Sequence, residues 1–179
     1  MDKKPDPKKI GTFSLLRPDE EETAALPLEE QTFDDLAVEL CNSARRYVAI
    51  LSPCLDSAAF NNPELASAIS HLVRQSRQSE VRILVNDVRP LVARGHHLLQ
   101  LARRMPSALR IRKLADHPDW NGETVVIRDR DAVLFKPAGS EDRAFCEMDA
   151  RPVAEQYLER FEDLWRYSEE DPDLRALAL

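Results

Sequence analysis

The residues best suited to chemistry gather after two apolar runs and at one histidine pair. His96 and His97 stand side by side behind Arg94-Gly95, inside a predicted helix. Adjacent helical residues point to different faces, so the two imidazoles do not ligate one ion. The plainer reading packs one ring on the sheet and leaves the other in solvent. The sharper one is anion binding at the start of that helix, by free N–H groups with Arg94 beside them. Ser52 and Asp56 follow the run Tyr47-Val-Ala-Ile-Leu51, and Asn86 and Asp87 follow Val81-Arg-Ile-Leu-Val85. In an open α/β sheet ligands bind outside the carboxyl ends of the strands, where these four would stand. Such residues also cap helices and form turns, which is the plainer reading here too. Asp129, at the end of another apolar run, has the same two readings: turn residue or remnant of a site.

Cys41, Cys54 and Cys146 are odd in number, form no CxxC pair and have no zinc-ligand spacing. They read as buried free thiols of a reducing compartment. Cys54 lies just past a strand, yet no neighbouring base in the sequence would activate it as a nucleophile. No metal and no cofactor is expected.

Charge is unevenly spread. Residues 71–113 hold ten basic and two acidic residues, a balance of +8, although the chain as a whole carries −7. Arg103, Arg104, Arg110, Arg112 and Lys113 form the densest part, and arginine offers bidentate donors for phosphate. The window has no aromatic residue on which single-stranded bases would stack. Basic residues at a helix C-terminus also simply favour the dipole. Acidic arms such as Asp19-Glu-Glu-Glu22 offer an internal cover for this surface. Solvated or internally paired charge, nucleic acid, and a protein or small anionic ligand are the alternatives.

The elements that must position these residues follow from apolar periodicity. Thr32 caps a helix with Phe33, Leu36, Leu40 and Ala44 at helical spacing. Strand 47–51 comes next, then a helix opened by Asn62-Pro63-Glu64, where proline's missing N–H costs nothing. Strand 81–85 precedes one helix carrying Leu91, Leu98, Leu99, Ala102 and Met105, closed by Pro106. Strand 109–114 alternates apolar and basic residues and is half-exposed. Residues 124–129 and 132–135 form a hairpin around Arg130-Asp131, and 144–148 add an edge strand. Pro152 opens a closing helix with the stripe Val153, Tyr157, Phe161, Leu164 and Trp165. The order β-α-β-α-β predicts a mostly parallel sheet with helices on both faces.

The chain of 179 residues fits one domain: an arm over 1–30, an α/β domain over 31–168 and a tail over 169–179. A chain of this length buries roughly two thirds of its unfolded surface. No apolar run approaches the roughly 20 residues of a membrane span, and the basic N-terminus lacks the apolar region of a secretory signal. Cytoplasm is the expected location.

This order of elements resembles one lobe of the phospholipase D superfamily, in which three strands alternate with helices before a hairpin that bears the signature. A closing helix follows, with an F-x-x-x-W-like stripe, here Phe161-Glu-Asp-Leu-Trp165. The chain also resembles a family of uncharacterised bacterial domains sometimes found beside acetyltransferases, through Ser52-Pro-Cys-Leu-Asp56, Arg94-Gly-His-His-Leu-Leu99 and Arg103-Arg-Met-Pro-Ser107. It lacks the acetyltransferase's Gly-rich pyrophosphate loop. The phospholipase D signature is H-x-K-x4-D followed by G-S-x-N, with the His as nucleophile and the Lys on the phosphate charge. Anchored on Asp129, the His position falls on Gly122 and the Lys position on Thr124. The Gly-Ser pair falls on Lys136-Pro137 and the Asn on Gly139. A phosphoryl-transfer site without nucleophile or cation lacks the groups that lower the barrier.

The expected fold is therefore a phospholipase D-like single lobe, which by resemblance pairs as a two-fold homodimer. The expected function is a non-catalytic binding or regulatory module. Its candidate cleft is lined by Ser52, Asp56, Asn86, Asp87, Arg94, His96, Arg103 and Asp129. The alternatives are a phosphodiester-processing enzyme with its nucleophile relocated to His96 or His97, and a structural dimer serving a protein partner.

Overall fold

The computed structural model describes residues 31–56, 58–140 and 143–175. The arm expected over 1–30, with its docked piece at Phe13–Leu16, and the end of the tail at 176–179 lie outside them. Helix α1 (Phe33–Ser43) starts at a capping box, in which Thr32 Oγ1 accepts from Asp35 N–H and Asp35 accepts from Thr32 N–H. Strand β1 (Tyr47–Ser52) is buried from Val48 onward. Helix α2 (Pro63–Gln75) is capped by Asn62, whose carbonyl accepts Glu64 N–H at 2.8 Å. Strand β2 (Glu80–Val85) follows.

The single helix expected over 91–105 is two, α3 (Arg89–Ala93) and α4 (His97–Arg104). Gly95 sits between them at φ +62°, a left-handed conformation that ends the first helix and re-aims the chain. Strand β3 (Leu109–Lys113), the hairpin β4 (Thr124–Arg128) and β5 (Ala132–Lys136), and the short β6 (Phe145–Glu147) complete the sheet. Helix α5 (Arg151–Arg166) and the single turn α6 (Pro172–Arg175) close the described chain.

The sheet order is β3-β2-β1-β4-β5-β6. Only β3, β2 and β1 are mutually parallel; β4 lies antiparallel to β1, and β5 and β6 continue antiparallel. The sheet is thus mixed rather than mostly parallel. The segment between β3 and β4 contains no helix to carry the chain back across the sheet, so β4 enters from the opposite end.

Helices cover both faces, as expected. Leu36, Leu40, Leu65, Ile69 and Leu98 pack on one face, and Tyr157, Phe161, Leu164 and Trp165 of α5 on the other. Burying each of these side chains contributes about 1.5–3 kcal/mol. The segment after α5 also packs on the domain: Glu169 bridges Lys113, and Leu174 is buried.

Candidate functional site

The carboxyl ends of β1 and β2 meet in two crossing turns, where Asn86 and Asp87 donate their N–H groups to Pro53 O at 3.0 and 2.9 Å. Ser52 is buried, and its Oγ accepts Leu55 N–H at 3.1 Å. Leu55 has φ +50°, a left-handed backbone that this turn holds in place. Asp56 accepts Ala58 N–H, and Asn86 donates to Leu114 O and to Asp116. Asp87 pairs with Arg89 at 2.7 Å, and that guanidinium brings its carboxyl down to about 2. Each polar group here completes a turn or a cap.

Asp56, Asp87 and Arg94 share one neighbourhood around Cys54. Burial raises the Cys54 thiol, Asp56 and Asp87 raise it further, and Arg94 pulls it back. A thiol held protonated by two carboxylates is a poor nucleophile. Arg94 itself ends α3. His96 is 2% exposed and caps α4 with Nδ1, which accepts Leu98 N–H at 3.2 Å. Its Nε2 has no hydrogen-bond partner among the described residues. Burial pushes this imidazole down to about 4, against a smaller upward pull from the Leu55 backbone. His97 is exposed, and its N–H is taken by Asn61 Oδ1 at 3.0 Å. The first two N–H groups of α4 are therefore both occupied, which disfavours the anion site considered at this helix start.

Two residues of the expected cleft lie elsewhere. Asp129 sits at the opposite end of the sheet, because β4 runs against β1. Its carboxylate accepts N–H groups from Arg45, Arg46 and Tyr47 at 3.0, 2.9 and 2.9 Å. At about 3.3 Å per residue, the length of β1 separates it from Ser52 by roughly 17 Å. Arg103 points to the C-terminal segment, donating to Leu174 O and Asp173 O at 3.0 Å each.

The positions where the resemblance places the nucleophile and its lysine are at the start of β4, close to the carboxyl end of β1. Gly122 has φ +86°, and Thr124 is buried opposite Lys136. Lys136 lies 5.1 Å over the Phe33 ring. Burial raises Asp34, Lys136 lowers it, and Asp56 raises it again, so the lysine shares its surroundings with two carboxylates. Sequence reasoning missed Asp34 and Lys136. The signal for Lys136 was its place directly opposite Thr124 in the hairpin. It also missed Glu123, 1% exposed, which pairs with Arg160 at 2.7 Å. No group of three or more potential metal-ligating side chains occurs among the described residues.

The basic surface is largely paired within the chain. Glu80 takes both Arg82 and Arg110. Arg112 lies 4.9 Å over Trp165 and 4.0 Å from Glu170, and Lys113 is 3.6 Å from Asp171. Arg104 is exposed at the end of α4. The segment after α5 supplies an acidic cover through Glu170 and Asp171; the Asp19–Glu22 run lies outside the described residues. No described helix is long and apolar enough to cross a membrane.

Among solved structures the chain is similar to Nuc from Salmonella typhimurium, a phospholipase D family member, with TM-score 0.55 and 18% identity over 76% of this chain and 88% of that one. It is similar to NucT from Helicobacter pylori, with TM-score 0.53 and 14% identity over 78% and 91%. TrmBL2, an archaeal chromatin protein, gives 0.57 and 15% over 89% of this chain and 58% of that one. These likenesses establish a phospholipase D-like fold. No curated protein matches the sequence. Residues 29–177 match the family model of a domain of unknown function, DUF7931, and the chain belongs to that family.

Proposed function

We propose that the protein is a non-catalytic binding or regulatory module on a phospholipase D-like fold. One observation carries this reading. Where the resemblance puts a nucleophilic His and a phosphate-holding Lys, the chain has Gly122 and Thr124, the lysine opposite Thr124, Lys136, has Asp34 beside it with Asp56 nearby, and Arg160 is taken by Glu123. Carboxylates at that place repel a phosphodiester and leave nothing to offset charge developing in transfer. The turns that hold Ser52, Asp56, Asn86, Asp87, Arg94 and His96 remain as a ready-made surface at the sheet's carboxyl edge. The test is turnover of a chromogenic phosphodiester and of DNA by the purified chain. The expected result is a rate equal to buffer. Turnover above buffer overturns the reading, and its loss in the His96→Ala/His97→Ala variant would place a relocated nucleophile on that pair.

A second reading, nucleic-acid binding, is favoured by the fold's similarity to TrmBL2, whose structure shows a mode of DNA binding. The +8 balance of residues 71–113 supports it, and the pairing of Arg110, Arg112 and Lys113 weakens it. Anisotropy of labelled oligonucleotides at two salt concentrations decides: binding that weakens steeply with salt supports it, and no binding at low salt removes it. By the resemblance to a single phospholipase D lobe we expect a two-fold homodimer, seen as a dimer mass in sedimentation equilibrium.

A further inference from the structure

Strand β3 is an edge strand, and its outer side is only partly covered. Lys113 exchanges both backbone hydrogen bonds with Glu169, at 2.9 Å each, so its polar groups face away from the sheet. Successive backbone units of a strand face alternate sides. Ile111, two residues earlier, therefore also turns its N–H and C=O outward, and Leu109 its C=O. The Leu109 N–H is used by Met105 O. Among the described residues β3 pairs in a ladder with β2 alone, which leaves the Ile111 groups unpaired.

A groove of about 390 Å³ runs along this edge. Leu109 and Ile111 belong to the core layer beneath α4, whereas Arg110 and Arg112 project to the α5 side. Residues from both faces of β3 line the same groove, which puts it at the strand's free edge rather than over either face. One wall is apolar, built from Leu99, Ala102, Pro106 and Leu174. The other is cationic. Arg112 is incompletely satisfied there, with Glu170 at 4.0 Å and no partner for its Nε among the described residues. With Arg103 and Arg175, four arginines line the groove against Glu170 and Asp171, with Glu80 also on Arg110 and Glu170 on Arg175, which leaves an excess of one positive charge.

We propose that this edge docks an extended segment of a partner protein whose side chains alternate between apolar and acidic. The segment adds a strand to β3 through the Ile111 backbone, sets its apolar side on the α4 wall and turns its carboxylates to Arg110 and Arg112. Charge and alternation choose this occupant over two others. A second copy pairing β3 with β3 across a two-fold axis would set these arginines against each other. The chain's own acidic run at 19–22 is continuous, not alternating. The inference is independent of the proposed non-catalytic module, because none of Ser52, Asp56, Asn86, Asp87, Arg94 and His96 lines this groove.

The test uses the isotopically labelled full chain and a blocked peptide of alternating Val and Glu, about eight residues long, within the usual range of strands. Saturable shifts at 109–113, with exchange of the Ile111 amide slowed about tenfold or more, are expected. A peptide with Lys in place of Glu should bind at least about tenfold more weakly, and so should the Val/Glu peptide to the Arg110→Glu/Arg175→Glu variant. Equal binding of the two peptides, shifts confined to other surfaces, or no shift at millimolar peptide would overturn the proposal. So would an Ile111 amide already protected in the free chain. Protection that depends on protein concentration would assign the edge to a second copy, and protection that does not would assign it to residues 1–30.

Discussion

Replacing Asp129 tests whether this carboxylate is a structural latch rather than a site residue. In Asp129→Ala three N–H groups lose one shared acceptor. Those of Arg45 and Arg46 are at the surface, where water replaces the carboxylate and each loss costs about 0.5–1 kcal/mol. The Tyr47 N–H is half-buried, and its loss costs about 1–2 kcal/mol. Asp129 also has φ +48°, and alanine there adds about 1 kcal/mol, since only Gly, Asn and Asp visit that region readily. The total is about 3–5 kcal/mol, or a fall in Tm of about 10 °C for a domain of this size. Asp129→Asn keeps the backbone preference and one accepting oxygen, so it should lose about half as much. Urea unfolding followed by tryptophan fluorescence is the assay, because Trp120 and Trp165 are both nearly buried and report the core. An alanine variant within about 1 kcal/mol of the parent chain, or an asparagine variant as damaged as alanine, would refute the latch.

Three further expectations follow from buried polar groups. The folded-state pKa of His96, about 4, lies below its ordinary 6.5, so the unfolded chain binds more protons between these values. Stability should be full above about pH 6.5 and fall by up to about 3 kcal/mol towards pH 4; a His96→Ser variant, which keeps a capping oxygen, should lose that dependence in urea midpoints measured against pH. Glu123 is 1% exposed, pairs with Arg160 and accepts Asn121 N–H, so Glu123→Ala should cost about 1–3 kcal/mol by removing the carboxylate from both, while Arg160 keeps its bonds to Asp119 O. Glu123→Leu combined with Arg160→Met should recover much of that loss in a double-mutant cycle. Arg103→Ala removes both hydrogen bonds to the α6 carbonyls, and amide exchange over 171–175 should rise about tenfold or more with little change in the rest of the chain.

Elements that depend on neighbouring residues were legible in the sequence. The apolar runs of β1 and β2, the Asn62-Pro63 start of α2 and the Phe161–Trp165 stripe of α5 carry their own periodicity, caps and propensities. The break at Gly95 was hidden because the apolar spacing from Leu91 to Met105 continues across it. The direction of β4 was inferable from one absence: residues 114–124 contain no helical repeat, and parallel strands need a crossover of about a dozen residues, usually helical. The cleft was half legible. Ser52, Asp56, Asn86, Asp87 and His96 stand at the ends of elements whose direction the pattern sets. The partners of Asp129 lie 82 to 84 residues earlier, and no local pattern carries a pairing of that separation. Leu174 was missed for a related reason: a single turn buries one side chain without periodicity to announce it.

The two ends of β4 explain how a lobe of this fold would keep its architecture under the non-catalytic reading proposed above. The start of β4, at Gly122 and Thr124, faces the carboxyl end of β1, and the buried carboxylate between them, Glu123, is paired with Arg160. Thr124 lies in the sheet opposite Lys136, and Lys136 lies beside Asp34 and over Phe33. The far end, at Asp129, ties β4 to the backbone that leads into β1, and that task is the same whether or not anything is bound at the other edge. On the proposed reading Gly122 and Thr124 therefore cost the fold little, whereas removing the aspartate would leave the β1–β4 ladder in place but loosen the turn that leads into β1. Of the signature positions, the one occupied by the expected residue type is the one with three backbone donors to satisfy. Hydrogen bonding in the native state accounts for Asp129 without any appeal to catalysis.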